Sequence, residues 1–250
     1  SVLSVGFVFD GPANAAAGKK AFITNRIGDA GFLLGMFLLY RAFGTLDMDT
    51  INASFIAGAG ASTVVPASLV ALFLFIGATG KSAQIPLYVW LPDAMAGPTP
   101  ASALIHAATM VAAGVYLVIR AMPIFLQAAI GQLHVVMIIG LTTALVGGML
   151  AVVQYDIKKI LAYSTISQLG YMFIALGAGS EVAALFPLMT HAFFKSLLFL
   201  GAVVSIHPTH TPDIRELSGL RASLPCTTSA FAAASPPPGA VIPLPASRSP

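Results

Sequence analysis

The side chains in this sequence that could do chemistry are few, basic, and set among apolar residues. His191 and Lys195 lie four apart in MTHAFFKSLLFLG, so on a helix they share one face. Thr190 and Ser196 flank them, and the same segment holds no carboxylate beyond Glu181 at its start. Two cations on adjacent turns repel, and the pair resists holding both protons at once. His106 sits in SALIHAATM, where it either hydrogen-bonds a neighbouring helix or takes and releases protons, as an imidazole does near neutral pH. Lys81 follows the glycine-punctuated run IGATG. It is either a lysine reaching toward lipid headgroups or a buried functional group. Lys158 and Lys159 follow Gln154-Tyr155-Asp156 at the edge of an apolar run, where anchoring to the membrane surface competes with a relay role. Arg26 and Asp29, three apart, suit a local ion pair, and His134, His207 and His210 fall near the ends of apolar segments or in loops.

The elements that hold these groups are set by composition. Hydrophobic residues make up 57% of the chain and charged residues 8%, a third of the quarter or so that a soluble surface carries. The surrounding solvent must be lipid. Six segments approach the length of about 20 apolar residues that a bilayer demands: 22–43, 64–92, 101–121, 131–153, 160–178 and 182–206. Segment 64–92 is too long for one straight crossing, and Gly77, Gly80 and Pro86 predict that it is broken. The expected fold is an all-α membrane bundle of about six spans, one discontinuous.

Residues 1–21 are expected to be a cytoplasmic loop at the start of a fragment, 207–221 a second cytoplasmic loop, and 222–250 a Pro/Ala/Ser-rich low-complexity tail. Alternating crossings place Lys19, Lys20, Lys158, Lys159, Arg215 and Arg221 on one side and Arg41 and Arg120 on the other. The richer side is therefore cytoplasmic. Twelve basic residues spread along the chain form no face for nucleic acid, and the single Cys226 excludes a disulfide framework and any multi-cysteine metal site. Motifs for phosphate cradling, for a serine nucleophile elbow and for zinc hydrolysis are absent from the sequence.

KSAQIPLYVWLPDAMAGPTPASALIHAATM (81–110), YDIKKILAYSTISQLGYMFIALG (155–177), THAFFKSLLFLGA (190–202) and AFITNRIGDAGFLLGMFLL (21–39) closely resemble the antiporter-like membrane subunits of NADH-quinone oxidoreductase, respiratory complex I, and among them subunit L. Their relatives in multi-subunit cation/proton antiporters share the fold. The resemblance implies an inverted-repeat bundle with Lys81 as the protonatable lysine on the broken helix. It also implies that His106, Lys158 or Lys159, His191 and Lys195 lie on a polar axis joining two half-channels. It implies no cofactor in this chain, with flavin, iron–sulfur clusters and the quinone site in partner subunits, and a multi-pass location in the bacterial inner membrane beside other membrane subunits of the complex.

Three departures stand out. The glutamate that pairs with the family's lysine falls before residue 1, the second repeat's broken helix has no counterpart, and the lateral helix is missing. The tail looks truncated or frame-shifted, so the alternatives are an antiporter subunit or a non-functional fragment.

Overall fold

A computed structural model describes residues 11–58, 65–107, 109–128, 130–209, 211–217 and 224–234. Helix α1 (Pro12–Phe43) opens with a proline in its first turn, where no backbone N–H is needed. It closes on Gly44, whose left-handed backbone (φ 68°) lets its N–H cap the Tyr40 carbonyl. Helix α2 (Met48–Ile56) is capped by Asp47, which accepts from the Thr50 N–H at 3.0 Å and from the Thr50 hydroxyl. Those bonds hold the Asp47 carboxyl below the usual carboxylate range.

Helix α3 (Ala67–Lys81) is followed by an irregular stretch, a short turn at Leu87–Val89, helix α4 (Trp90–Asp93) and a second turn at Ala94–Ala96. The remaining helices are α5 (Thr99–Ala107), α6 (Met110–Arg120), α7 (Met122–Gln127), α8 (Ile130–Val153), α9 (Ile157–Gly177), α10 (Glu181–Thr209) and α11 (Pro225–Ala234). Among the described residues there is no strand; Asp156 and Asp213 form one isolated bridge.

Five helical stretches are long and apolar enough to cross a membrane: Pro12–Phe43, Pro100–Arg120, Gly131–Val153, Ile157–Gly177 and Glu181–Thr209, with α3 a shorter sixth. The outer faces are apolar. Phe37 is 65% exposed, Met149 62% and Phe193 77%, a pattern that fits lipid and not water. Packing between helices in lipid relies on close contact more than on water exclusion. Accordingly α1 meets α3 at Gly28 and Gly80, where a Cβ on Gly28 would lie 2.9 Å from the Gly80 Cα. Helix α8 lies along α9, α10 packs against α9 and α5, and α6 fills the space beside α3.

Several boundaries differ from the sequence expectation. Helix α1 begins at Pro12, inside the stretch expected to be a loop through residue 21. Gly77 and Gly80 do not break their helix; both are buried within α3, and the interruption falls after Lys81. The first residue of the expected 64–92 span lies outside the described residues. The expected 101–121 span matches the apolar stretch Pro100–Arg120, which is described as α5 and α6 on either side of a bend at Thr109, with residue 108 outside the described residues. The expected tail contains α11, whose Phe231 ring lies over Gly201 of α10, while 222–223 and 235–250 lie outside the described residues. Of the expected 207–221 loop, residues through Thr209 continue α10, and 210 and 218–221 lie outside the described residues.

The two ends of the bundle are marked by ion pairs. Lys20 meets Asp93 at 2.6 Å at one end, and Arg120 meets Asp49 at 2.9 Å at the other. The 211–217 segment is tied to the start of α9: the Ile157 N–H donates to the Pro212 carbonyl and the Ile214 N–H to that of Tyr155. Arg215 beside Asp213 holds that carboxyl below the usual range; the arginine is exposed and the aspartate half-buried.

Candidate functional site

Helix α10 runs unbroken for 29 residues despite Pro187, and its midpoint delivers Lys195 to the interior, where it is 2% exposed. Its ammonium donates to the Ser164 hydroxyl at 2.6 Å and to the Leu161 carbonyl at 3.2 Å, both on α9. The Phe194 ring lies 6.0 Å away. None of the ion pairs among the described residues includes Lys195. A buried cation is costly without compensation, and here neutral oxygens provide all that is seen.

One turn earlier, His191 is 1% exposed and faces α5. Its Nε2 lies 3.2 Å from the His106 carbonyl. A carbonyl only accepts, so Nε2 carries the hydrogen and donates. That carbonyl lies in the last described turn of α5, just before the bend at Thr109. The Leu104 carbonyl takes the Thr109 N–H at 3.2 Å and the Thr109 hydroxyl at 2.8 Å. The His106 ring is fully buried, 5.1 Å from the Phe199 ring. Both of its nitrogens, and His191 Nδ1, lack a hydrogen-bond partner among the described residues. Beside this bend, an open depression of about 400 Å³ on the outer face is lined by Ala107, Thr109, Ala112, Ala113, Leu188 and Ala192 and by the exposed Tyr116 and Met189.

Lys81 occupies different surroundings. It ends α3 and forms an ion pair with Asp29 of α1 at 3.0 Å, with 36% of its side chain and 24% of the aspartate's exposed. Asp29 also meets Arg26, at the longer distance of 3.6 Å, so the expected local pair is present but secondary. Asp29 lies nine residues from Lys20 along α1, about 14 Å of helix rise, and thus well inside the span.

The two interruptions touch. Ser82 caps α3 and its hydroxyl donates to the Val111 carbonyl at 2.6 Å, in the first turn of α6. Thr143 of α8 accepts the Ile85 N–H at 3.1 Å, and the buried Gln84 amide donates to the Ser82 carbonyl at 2.9 Å. The Trp90 indole donates to the Gly80 carbonyl at 3.0 Å. Irregular backbone at this depth is satisfied by protein groups, as it must be in a bilayer.

Of the residues singled out from the sequence, the fold brings His106, His191 and Lys195 together. Helix α6 lies between Lys81 and that cluster, packing on both α3 and α10. Lys158 and Lys159 join neither; they stand in the first turn of α9, Lys159 exposed and Lys158 half-buried, with the Lys158 N–H bonded to the Asp156 cap. Sequence reasoning missed Asp29 as the partner of Lys81, and Ser82, Thr143 and Ser164. A polar residue inside an apolar run was the available signal. Among the described residues no group of three or more His, Cys, Asp or Glu side chains could hold a metal ion.

The arrangement has clear relatives. The chain is 50% identical to NADH-quinone oxidoreductase subunit L of Rhodobacter capsulatus, over 91% of this chain and 33% of that protein. It is 48% identical to NAD(P)H-quinone oxidoreductase chain 5 of Synechocystis, over 92% of this chain and 35% of that protein. The chain thus spans about a third of the length of these relatives. Among solved structures, the Mrp complex from a Dietzia species superposes with a TM-score of 0.74 at 32% identity, covering 84% of this chain and 23% of that one. The membrane-bound sulfane sulfur reductase, an archaeal respiratory complex, shares the fold, with a TM-score of 0.78 at 24% identity over 94% of this chain and 48% of that one. Residues 1–238 match the NADH:quinone oxidoreductase/Mrp antiporter transmembrane family, and the chain belongs to that family.

Proposed function

We propose that this chain forms part of a proton-translocating membrane subunit of NADH:quinone oxidoreductase. The observation that carries the reading is the cluster of Lys195, His191 and His106, three protonatable groups each no more than 2% exposed, with no carboxylate among their partners in the described residues. Such groups are expensive in an apolar interior and are retained where ions or protons must pass. Lys81, in its ion pair with Asp29 at the end of α3, supplies a second protonatable station. Lys158 and Lys159 act as membrane-surface anchors or as a cytoplasmic-side station. The identity of 48–50% to chain 5 and subunit L proteins supports the complex I assignment.

On this reading the chain itself binds no flavin, iron–sulfur cluster or quinone, and the redox steps belong to neighbouring subunits. Its partners are the lipid bilayer and other membrane subunits, in a bacterial inner membrane, with the Lys20, Lys158 and Arg215 end facing the cytoplasm. Coupling reaches Lys81 and Lys195 as a change in nearby charge, which alters how tightly each holds its proton.

The test is Lys81→Ala in membranes that hold the assembled complex. Proton translocation is expected to fall at least about tenfold, as for loss of an obligatory relay group. Unchanged translocation with full assembly overturns the role given to that lysine. The likeness to the Mrp complex favours one second reading, a cation/proton antiporter subunit. It predicts sodium-driven proton exchange in vesicles without NADH.

A further inference from the structure

Among the described residues Lys195 has two oxygen partners, and one is a hydroxyl. We propose that Ser164 is a positioning residue for Lys195, serving as its hydrogen-bond partner in both protonation states; this rests on the proton-translocating reading above.

The geometry is specific. Ser164 Oγ accepts from the Lys195 ammonium at 2.6 Å and donates its own hydrogen to the Leu161 carbonyl at 3.0 Å. That carbonyl also takes the Lys195 ammonium at 3.2 Å and the buried Thr165 hydroxyl at 2.8 Å. It therefore remains satisfied if Ser164 turns away. A hydroxyl rotates freely and both donates and accepts, whereas a carbonyl only accepts. When Lys195 is an ammonium, Ser164 accepts from it. When Lys195 is a neutral amine, the Ser164 hydrogen swings from the Leu161 carbonyl to the amine nitrogen, and no proton changes owner.

Leu161 cannot make that exchange. The other titratable groups near the ammonium are His191 on its own helix and His106 on α5. Their described hydrogen bond joins them to each other and not to Lys195. Ser164 is half-buried beside a fully buried lysine, so the pair occupies the margin of the cluster facing out along α9. Buried polar groups in spans need a partner in every state they visit, and a serine at this position supplies one.

The experiment compares Ser164→Ala, Ser164→Thr and Lys195→Ala in membranes holding the assembled complex, following NADH-driven proton translocation from pH 5.5 to 9. Ser164→Ala is expected to lower translocation about tenfold, the scale of one charge-assisted hydrogen bond, and to displace the pH profile by about half a unit or more. Ser164→Thr, which keeps the hydroxyl, is expected to recover to within about threefold of the parent. A parental rate and pH profile in Ser164→Ala overturns the proposal, as does equal impairment of the threonine and alanine variants. Should alanine block assembly, Ser164→Cys, similar in size but a weak acceptor, stands in. Impairment with a displaced profile upholds the proposal, and a parental profile overturns it. Lys195→Ala separates the two layers: if it pumps normally, the proton reading at this cluster fails; if it is silent while Ser164→Ala is parental, only the role of Ser164 fails.

Discussion

Lys81 and Lys195 are the same side chain solved in two ways. Lys81 sits at a helix end, partly exposed, with the Asp29 carboxylate 3.0 Å away and Arg26 on the same aspartate. Lys195 sits mid-helix, almost fully enclosed, with a serine hydroxyl and a backbone carbonyl as partners. The first is a charge balanced by a charge. The second is held by dipoles alone among the described residues, which bring no fixed countercharge to it. A group of that kind responds strongly to any charge brought near, because little else screens it. Lys81 instead has a built-in alternative: Asp29 can turn to Arg26 when Lys81 gives up its proton.

The comparison can be broken at several points. The largest effect is expected from Gly28→Val. Even the first carbon of the new side chain would meet the Gly80 Cα at 2.9 Å, forcing α1 away from α3 and parting Asp29 from Lys81. Overpacking of this kind costs about 1–3 kcal/mol, read as a lowered unfolding temperature in detergent, and leaves the Lys195 cluster in place.

Next comes Lys195→Met, which replaces a buried cation by an apolar chain of similar length. Because its partners are neutral, the fold is expected to gain about 1–2 kcal/mol while translocation is lost. A marked loss of stability would mean that an unseen countercharge pairs with Lys195. Lys81→Met should act oppositely, costing up to about 1 kcal/mol because Asp29 keeps only its longer contact to Arg26; partial exposure limits the loss.

The smallest effect calibrates the others. Asp213 and Arg215 form an ion pair at the surface, and the aspartate's folded pKa is lowered below its unfolded value. The stabilisation this gives the 211–217 segment is present above about pH 4 and fades as pH falls through the folded value. Protection of the 211–217 amides, taken relative to the intrinsic exchange rate at each pH, should therefore fall only at acid pH. Asp213→Asn should abolish that dependence while leaving both lysine sites unaffected.

Much of the fold was legible because hydrophobic length is a coarse, robust signal: α8, α9 and most of α10 follow the expected spans within a few residues. The α1 start was not, because Lys19 and Lys20 resemble a loop to a hydropathy reading yet suit the exposed face of a helix leaving the bilayer. Gly77 and Gly80 were mistaken for breaks. Glycine in a span either frees the backbone or admits a neighbour, and only the partner Gly28 decides which. The α5–α6 interruption has no glycine or proline of its own; the His191 donor that supports it comes from a helix 85 residues away. His191 and Lys195 sharing a buried face followed directly from helical spacing. That Asp29 answers Lys81 in preference to Arg26 did not, since pairs across 52 positions are set by packing alone.

The sequence contains a single tryptophan, and Trp90 is buried with its indole N–H on the Gly80 carbonyl, one residue before Lys81. Nature has thereby placed the molecule's own fluorophore against the last turn of the interrupted helix. Emission from Trp90, made the lone tryptophan in an otherwise Trp-free background, would register rearrangement of that turn without a label.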